Sequence, residues 1–189
     1  MITARKQSPV VVAAKTDSTA LGELYEEFYP RVLRFCVLRL FNQDLAEEVV
    51  STVFLDVADN IGRFRGASVP EFTAWLFRIA TNHCHNAVRK KVRRRRILDQ
   101  VQSELEQVTS SATSSQETLM DHWPLVYEAL ARLKPLEQTV ITLHFFEKLE
   151  YDQIAEIIKR RPTTVRVLLH RGLNKLRSTL EDKLGGELS

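Results

Sequence analysis

At 189 residues, 44% of them hydrophobic and 27% charged, the chain holds enough apolar material for one domain or two small ones. Two cysteines and no run approaching the length of a membrane span exclude a disulfide framework and membrane insertion, so a cytoplasmic protein with reduced thiols is expected. The net charge of +3 hides a segregated pattern: residues 1–96 carry 16 basic and 10 acidic side chains, residues 97–133 one and six, and residues 134–189 ten and eight.

Residues 1–20 show no sustained period and read as a mobile N-terminal tail. The Val10–Ala14 patch behind Arg5 and Lys6 is too short for a signal-peptide core, and Pro9 interrupts it. From Leu21 to about Leu40, positions Leu21, Leu24, Tyr25, Phe28, Val32, Phe35 and Cys36 recur at helical spacing, and Pro30 is expected to end or kink the first part. Asn42 offers an N-cap for a second helix with Leu45, Val49, Val53, Phe54, Val57 and Ile61 inward. Its outer face carries Asp44, Glu47, Glu48, Asp56 and Asp59, which suits either solvent or a basic partner helix. Gly62 ends that helix and residues 63–70 read as a loop. A third helix begins near Glu71, turns Phe72, Trp75, Leu76, Ile79 and Ala80 inward, and continues through Asn82 and Asn86 into residues 89–96. Seven of those last eight residues are basic. Such density repels itself unless a polyanion relieves it, so nucleic acid is the leading partner.

Residues 97–120 are expected to be a flexible linker, because residues 108–118 contain seven Ser or Thr and almost nothing to bury. The second domain, residues 121–184, opens with a helix marked by Trp123, Val126, Tyr127, Leu130 and Leu133 and stopped by Pro135. A helix from Leu136 to Leu149 follows, with Val140, Ile141, Leu143, Phe145 and Phe146 available to the core. Residues 150–177 then show two apolar stripes: Ile154, Ala155 and Ile158, and after the break at Lys159–Pro162, Val165, Leu168, Leu169, Leu173 and Leu176. A short helix, a tight turn and a longer helix make a helix-turn-helix. Lys159 to Arg177 holds seven basic residues and no acidic one, which suits a phosphate backbone. The Gly185-Gly186 pair is expected to end the fold, leaving residues 185–189 as a tail. No strand alternation of useful length appears, so the expected fold is all-α: two small helical domains, residues 21–96 and 121–184, the second containing the helix-turn-helix.

His83-Cys84-His85 invites a metal site, but neighbours on a helix point in different directions and cannot converge on one ion. The chain has no Gly-rich phosphate loop and no nucleophile elbow, so neither enzymatic activity, a cofactor nor a metal is expected.

In order along the chain, LAEEVVSTVFLDV, RFRG, TAWLFRIATNHCHNAVRKK and LKPLEQTVITLHFFEKLEYDQIAEIIKRRPTTVRVLLHRGLNKLR resemble a bacterial RNA polymerase sigma factor of the extracytoplasmic-function type, within the sigma-70 family. The resemblance covers roughly residues 21–96 and 121–180. It implies a transcription initiation factor whose first domain binds the polymerase clamp and opens the minus-ten element, while the second docks on the flap and reads the minus-thirty-five element as duplex. The clamp role falls on Glu47, Glu48, Ser51, Thr52, Leu55 and Asp56. Contacts with the melted minus-ten strand fall on Phe64, Arg65, Ser68, Asn82, Asn86, Arg89, Lys90 and Arg93. An amide at Asn82 or Asn86 can bond a base edge, and the loop from Phe64 to Val69 matches a segment that pockets a flipped base. In the second domain Arg166 and Arg171 suit bidentate contact with guanine, and Val167, Thr163 and His170 share their exposed face. Thr163 and Thr164, at a helix N-terminus, suit phosphate, as do Arg160 and Arg161. Partners would be core polymerase, promoter DNA and, as for many members, an anti-sigma factor.

This chain departs from the family pattern in several places. Ser51-Thr52 stands in place of a usual Gln-acid pair, and the loop between Phe64 and Trp75 is about two residues longer. The turn reads Lys159-Arg160-Arg161 where the family has Gly, an apolar residue and Ser, so Lys159 must turn left-handed at a cost of order 1 kcal/mol unless the turn takes another shape. Val167 replaces a small polar residue and suits a thymine methyl group. The rival reading is a freestanding helix-turn-helix regulator that dimerises through its N-terminal domain and binds two-fold symmetric half-sites.

Overall fold

The computed structural model describes residues 7–102 and 123–186. Every regular element among them is helical, in the order α1 (Pro9–Ala13), α2 (Ser18–Leu40), α3 (Gln43–Asn60), a 3-10 turn (Ile61–Arg63), α4 (Val69–Gln102), α5 (Trp123–Ala131), α6 (Pro135–Ile141), a π-helical segment (Thr142–Phe146), α7 (Tyr151–Ile158) and α8 (Pro162–Gly186). Among the described residues no helix is long and apolar enough to cross a membrane.

Helices α2, α3 and α4 pack on one another around Phe28, Phe35, Phe72 and Phe77, all with no exposed surface. The rings meet edge to face, Phe28 on Phe72 at 5.1 Å and Phe35 on Phe77 at 5.4 Å. The caps are local. Asp17 accepts from the Thr19 N–H at 2.8 Å, and Asn42 accepts from the Leu45 N–H at 2.7 Å, as its place before the second apolar run predicts. Pro30 neither ends nor divides α2, which runs unbroken from Ser18 to Leu40. Leu24 and Phe28 before it and Val32 and Phe35 after it are all buried, so packing on both sides offsets the one backbone hydrogen bond lost.

Part of the expected tail is ordered. Val11 and Ala14 of the α1 segment are buried against the α2–α4 core, and the Ser8 N–H donates to the Ala67 carbonyl at 2.8 Å. A single helical turn shows too few periods to stand out in the sequence. Residues 1–6 lie outside the described residues. Of the expected linker, residues 97–102 continue α4, consistent with a stretch free of Gly and Pro, and residues 103–120 lie outside the described residues.

In the C-terminal region α6, α7 and α8 enclose Val140, Ile141, Leu143, Ile154, Ile157, Val165 and Leu169. Two apolar expectations change here. Phe145 is exposed, because the π segment turns it outward while Leu143 faces in. Leu173 is likewise exposed, and Gly172 takes the inward position, where a Cβ would lie 2.6 Å from Ile141 Cδ1. That glycine permits the close approach of α8 to α6. Helix α8 includes Gly185 and Gly186 and its described part stops there.

Candidate nucleic-acid interface

The turn between α7 and α8 takes the left-handed solution. Lys159 sits at φ 53° and ψ 53°, and the Arg160 N–H reaches back to the Ala155 carbonyl at 3.0 Å. This is the Schellman closure that glycine usually provides. Pro162 then begins α8, with Arg160, Arg161, Thr163, Arg166, Val167, His170 and Arg171 exposed and Thr164 half-buried. The guanidinium of Arg166 lies 5.6 Å from the Tyr151 ring centroid, which steadies it against α7. Among the described residues of 159–177 no acidic side chain interrupts this face. Asp152 and Glu156 of α7 line the open cleft beside the turn, opposite Arg160 and Arg161.

A second set lies along α4. Asn82, Asn86, Arg89, Lys90 and Arg93 are all exposed, the two asparagines one helical turn apart. At the other end of that face, Phe64 stacks on Trp75 with ring centroids 4.8 Å apart. Gly66 makes room for it, since a Cβ there would lie 2.3 Å from Phe64 Cζ. Asp56, Asn60, Arg63, Phe64, Trp75 and Ile79 line a cavity of about 260 Å³. Arg63, the first residue of RFRG, and Asn60, which no sequence pattern marks, belong to this wall; their place follows from the 3-10 turn after α3.

Ser68 does not belong to the exposed set. It has 1% of its surface exposed, and its hydroxyl donates to Glu71 Oε2 at 2.7 Å while its N–H and that of Ala67 donate to the same oxygen. Glu71 thus reaches back to the N–H groups that precede α4, which begins at Val69 rather than near Glu71. Arg65 is exposed.

On α3, Glu47, Glu48, Ser51, Thr52 and Leu55 are all exposed, the last by 67%. The Ser51 and Thr52 hydroxyls bond back to the carbonyls of Glu47 and Glu48. Asp56 stands apart from this row. It is half-buried, bonded to Asn60 Nδ2 at 2.8 Å and paired with His83 Nε2 at 3.0 Å. The three residues His83, Cys84 and His85 diverge: His83 turns to Asp56, Cys84 is buried 3.6 Å from Cys36 Sγ, and His85 is exposed. Hydrogen bonding to Cys84 and then burial push the Cys36 thiol well above its ordinary value, so it stays neutral.

A family model of sigma-70 region 2 matches residues 24–94, and one of sigma-70 region 4 matches residues 125–176, together well over half of the chain. The chain is 29% identical over 164 residues to the RNA polymerase sigma factor CarQ of Myxococcus xanthus, covering 85% of this chain and 89% of CarQ. It is 26% identical over 168 residues to the sigma factor YlaC of Bacillus subtilis, covering 85% and 92%. Over 176 residues it is 26% identical to the ECF sigma factor SigW of the same organism, covering 89% and 92%. Two solved structures share the fold. RpoE of Bartonella quintana, solved with the anti-sigma factor NepR, aligns with TM-score 0.64 at 21% identity over 84% of this chain and 97% of that one. CnrH, solved with the cytosolic domain of CnrY, aligns with TM-score 0.64 at 18% identity over 92% and 95%. With both region models matched in chain order on the two helical regions, the chain belongs to the sigma-70 family in its extracytoplasmic-function branch, whose members are non-catalytic factors that direct RNA polymerase to promoters.

Proposed function

We propose that this factor reads the minus-thirty-five element as duplex through α8 and the minus-ten element as a melted strand through α4 and the loop before it. The observation that carries the reading is the exposed row Asn82, Asn86, Arg89, Lys90 and Arg93 running from an aromatic-walled cavity. The cavity is of a size for one unstacked base, with Phe64 and Trp75 as stacking faces and Asn60, Arg63 and Asp56 as polar edges. Phe64, Arg63 and Arg65 then serve the captured base and its flanks, and the α4 cations follow the backbone. In the duplex half, Arg166 and Arg171 take guanine edges, Val167 a thymine methyl group, and Arg160, Arg161, Thr163 and Thr164 phosphates, with His170 on the same face. Glu47, Glu48, Ser51, Thr52 and Leu55 meet a basic helix of the polymerase clamp, with Asp56 acting from behind through His83. The C-terminal region docks on the flap. RpoE, which shares this fold, is solved with an anti-sigma factor, so an anti-sigma factor is a candidate regulator here as well.

The test is transcription in vitro with bacterial core polymerase and a randomised promoter library, followed by permanganate footprinting on the selected promoter. Asn82→Ala is expected to reduce thymine reactivity in the melted strand far more than it reduces duplex binding. Equal losses of both, or no selected promoter at all, would remove the melted-strand assignment.

A further inference from the structure

The ordered part of the expected tail lies along the loop that carries Phe64. The segment from Ser8 to Lys15, with α1 inside it, meets that loop at both ends. The Ser8 N–H donates to the Ala67 carbonyl at 2.8 Å, and the Lys15 carbonyl lies 3.7 Å from where a Cβ on Gly62 would sit. Val11 and Ala14 are buried in the core, and the Asp17 side chain that follows caps α2, so the segment is held along its length. Lys15, in the turn between α1 and α2, is half-buried and sets its ammonium over the Phe64 ring, 5.6 Å from the centroid. The same ring stacks on Trp75 at 4.8 Å and meets Phe72 edge on at 6.0 Å. Among the described residues no carboxylate pairs with Lys15.

We propose that Lys15 is a DNA contact of the minus-ten reader: its ammonium takes the phosphate of the nucleotide whose base enters the cavity, and α1 is the strut that sets it there. The proposal rests on the melted-strand reading of α4 and its loop. Phe64 is one wall of the cavity, so a cation over its ring stands at the rim. A nucleotide carries its phosphate one sugar away from its base, and a base against the aromatic walls brings that phosphate to the rim. Of the residues lining the cavity only Asp56 is acidic, and it is already bonded to Asn60 and His83. The rim is therefore a place where an added negative charge finds a cation without a carboxylate of its own.

The contact Lys15 makes in the free chain is one it can give up. A cation over a ring at a partly exposed site is weak, whereas an ammonium on a phosphate oxygen makes a charge-assisted hydrogen bond and releases a counterion. The four-carbon stem lets the ammonium swing from ring to phosphate without moving α1. The strut matters because this loop is longer than the family pattern, and a longer loop costs more to hold in one place. Contacts at Gly62 and Ala67 fix its two ends, so Phe64 and the cation meet the incoming nucleotide already in position. Arg89, Lys90 and Arg93 stand further along α4, and Lys15 extends their cationic track past the cavity.

Fluorescence anisotropy with the holoenzyme tests this. The probe is a labelled single strand, the non-template minus-ten region of the promoter selected in vitro, with each phosphate in turn made an uncharged methylphosphonate. An abasic scan of the same strand locates the captured base. In wild type, neutralising one linkage beside that base is expected to cost several-fold in affinity. K15Q should lose the same factor on the natural strand, be indifferent to that one linkage, and lower the slope of log affinity against log salt by about 0.7. K15R, which keeps the charge, should restore most of the affinity. A variant that merely disturbs the fold would instead weaken binding at every linkage alike and keep the wild-type slope, which would overturn the proposal. Wild type indifferent to every linkage beside the captured base would overturn it whether or not K15Q folds. So would a K15Q that binds as wild type does while Asn82→Ala weakens the same strand, an outcome that leaves the melted-strand reading intact. Binding no tighter than to a scrambled strand, in wild type and in both variants, would remove that reading and the Lys15 contact with it.

Discussion

Glu137 carries a clear pH signature. Burial opposes its charge, but Lys175 Nζ at 2.7 and 2.9 Å, and the Lys134 N–H at 3.1 Å, outweigh it and hold the carboxyl below its ordinary value. The folded state therefore gains stability from Glu137 above the unfolded value near 4.5 and loses it as pH falls through the lower folded value. Wild-type melting temperature is expected to fall more steeply on acidification below pH 4.5 than that of Glu137→Gln. Parallel pH curves would show that the tie from α6 to α8 contributes nothing. On the recognition face, Arg171→Ala is expected to weaken binding to the upstream element by about 1–3 kcal/mol, read by fluorescence anisotropy. Replacing each thymine of that element by deoxyuridine removes only the methyl group, so one position should lose affinity in wild type and not in Val167→Ala. Outward residues of α8 from Thr163 to Arg171 follow the helical period, whereas Leu173 turns outward because Gly172 takes the place against Ile141. Ser68 is easily misread, although Ser68-x-x-Glu71 has the sequence pattern of a capping box, because a residue that matches a binding loop can equally start a helix. The Asp56–His83 pair joins positions 27 apart, and no local pattern announces it.

Elements are largely legible where periods are long. The apolar series of α2, α3 and α4 place three helices, and Asn42 places a boundary, but Pro30 suggests a break that is absent because propensity yields to burial on both sides. The turn of the helix-turn-helix left two shapes open, a left-handed lysine in a glycine's place or a different turn, and Lys159 takes the left-handed one. Lys159→Gly should relieve that conformation and raise stability by up to about 1 kcal/mol in a denaturant titration. Since Lys159 also belongs to the basic face, promoter affinity is expected to drop in the same variant, separating its two roles. Conversely Ser68→Ala should cost about 1 kcal/mol and lower the melting temperature, because it removes the buried hydroxyl's bond to Glu71 at the start of α4.

At the scale of the whole molecule, two helical regions and their order along the chain are readable, while their embrace is not. Arg31, Arg34, Gln138 and Glu147 look in sequence like ordinary surface residues, and only the fold brings them together across more than ninety positions. The π segment aims the last of them. Thr142–Phe146 winds wider than the α-helix before it, and Lys148 at φ 56° then closes the turn ahead of α7. Five residues at this wider winding turn through about the same angle as four in an α-helix, so the segment takes up an extra residue and keeps its flanks in phase. Deleting one residue there is expected to be absorbed by a return to α-helical winding with Glu147 still facing its arginines, whereas inserting a further one would swing Glu147 off them by about 100°. The downstream hairpin would keep its own internal packing in either variant, so length in this short coil, more than composition, sets the angle at which the two halves face each other.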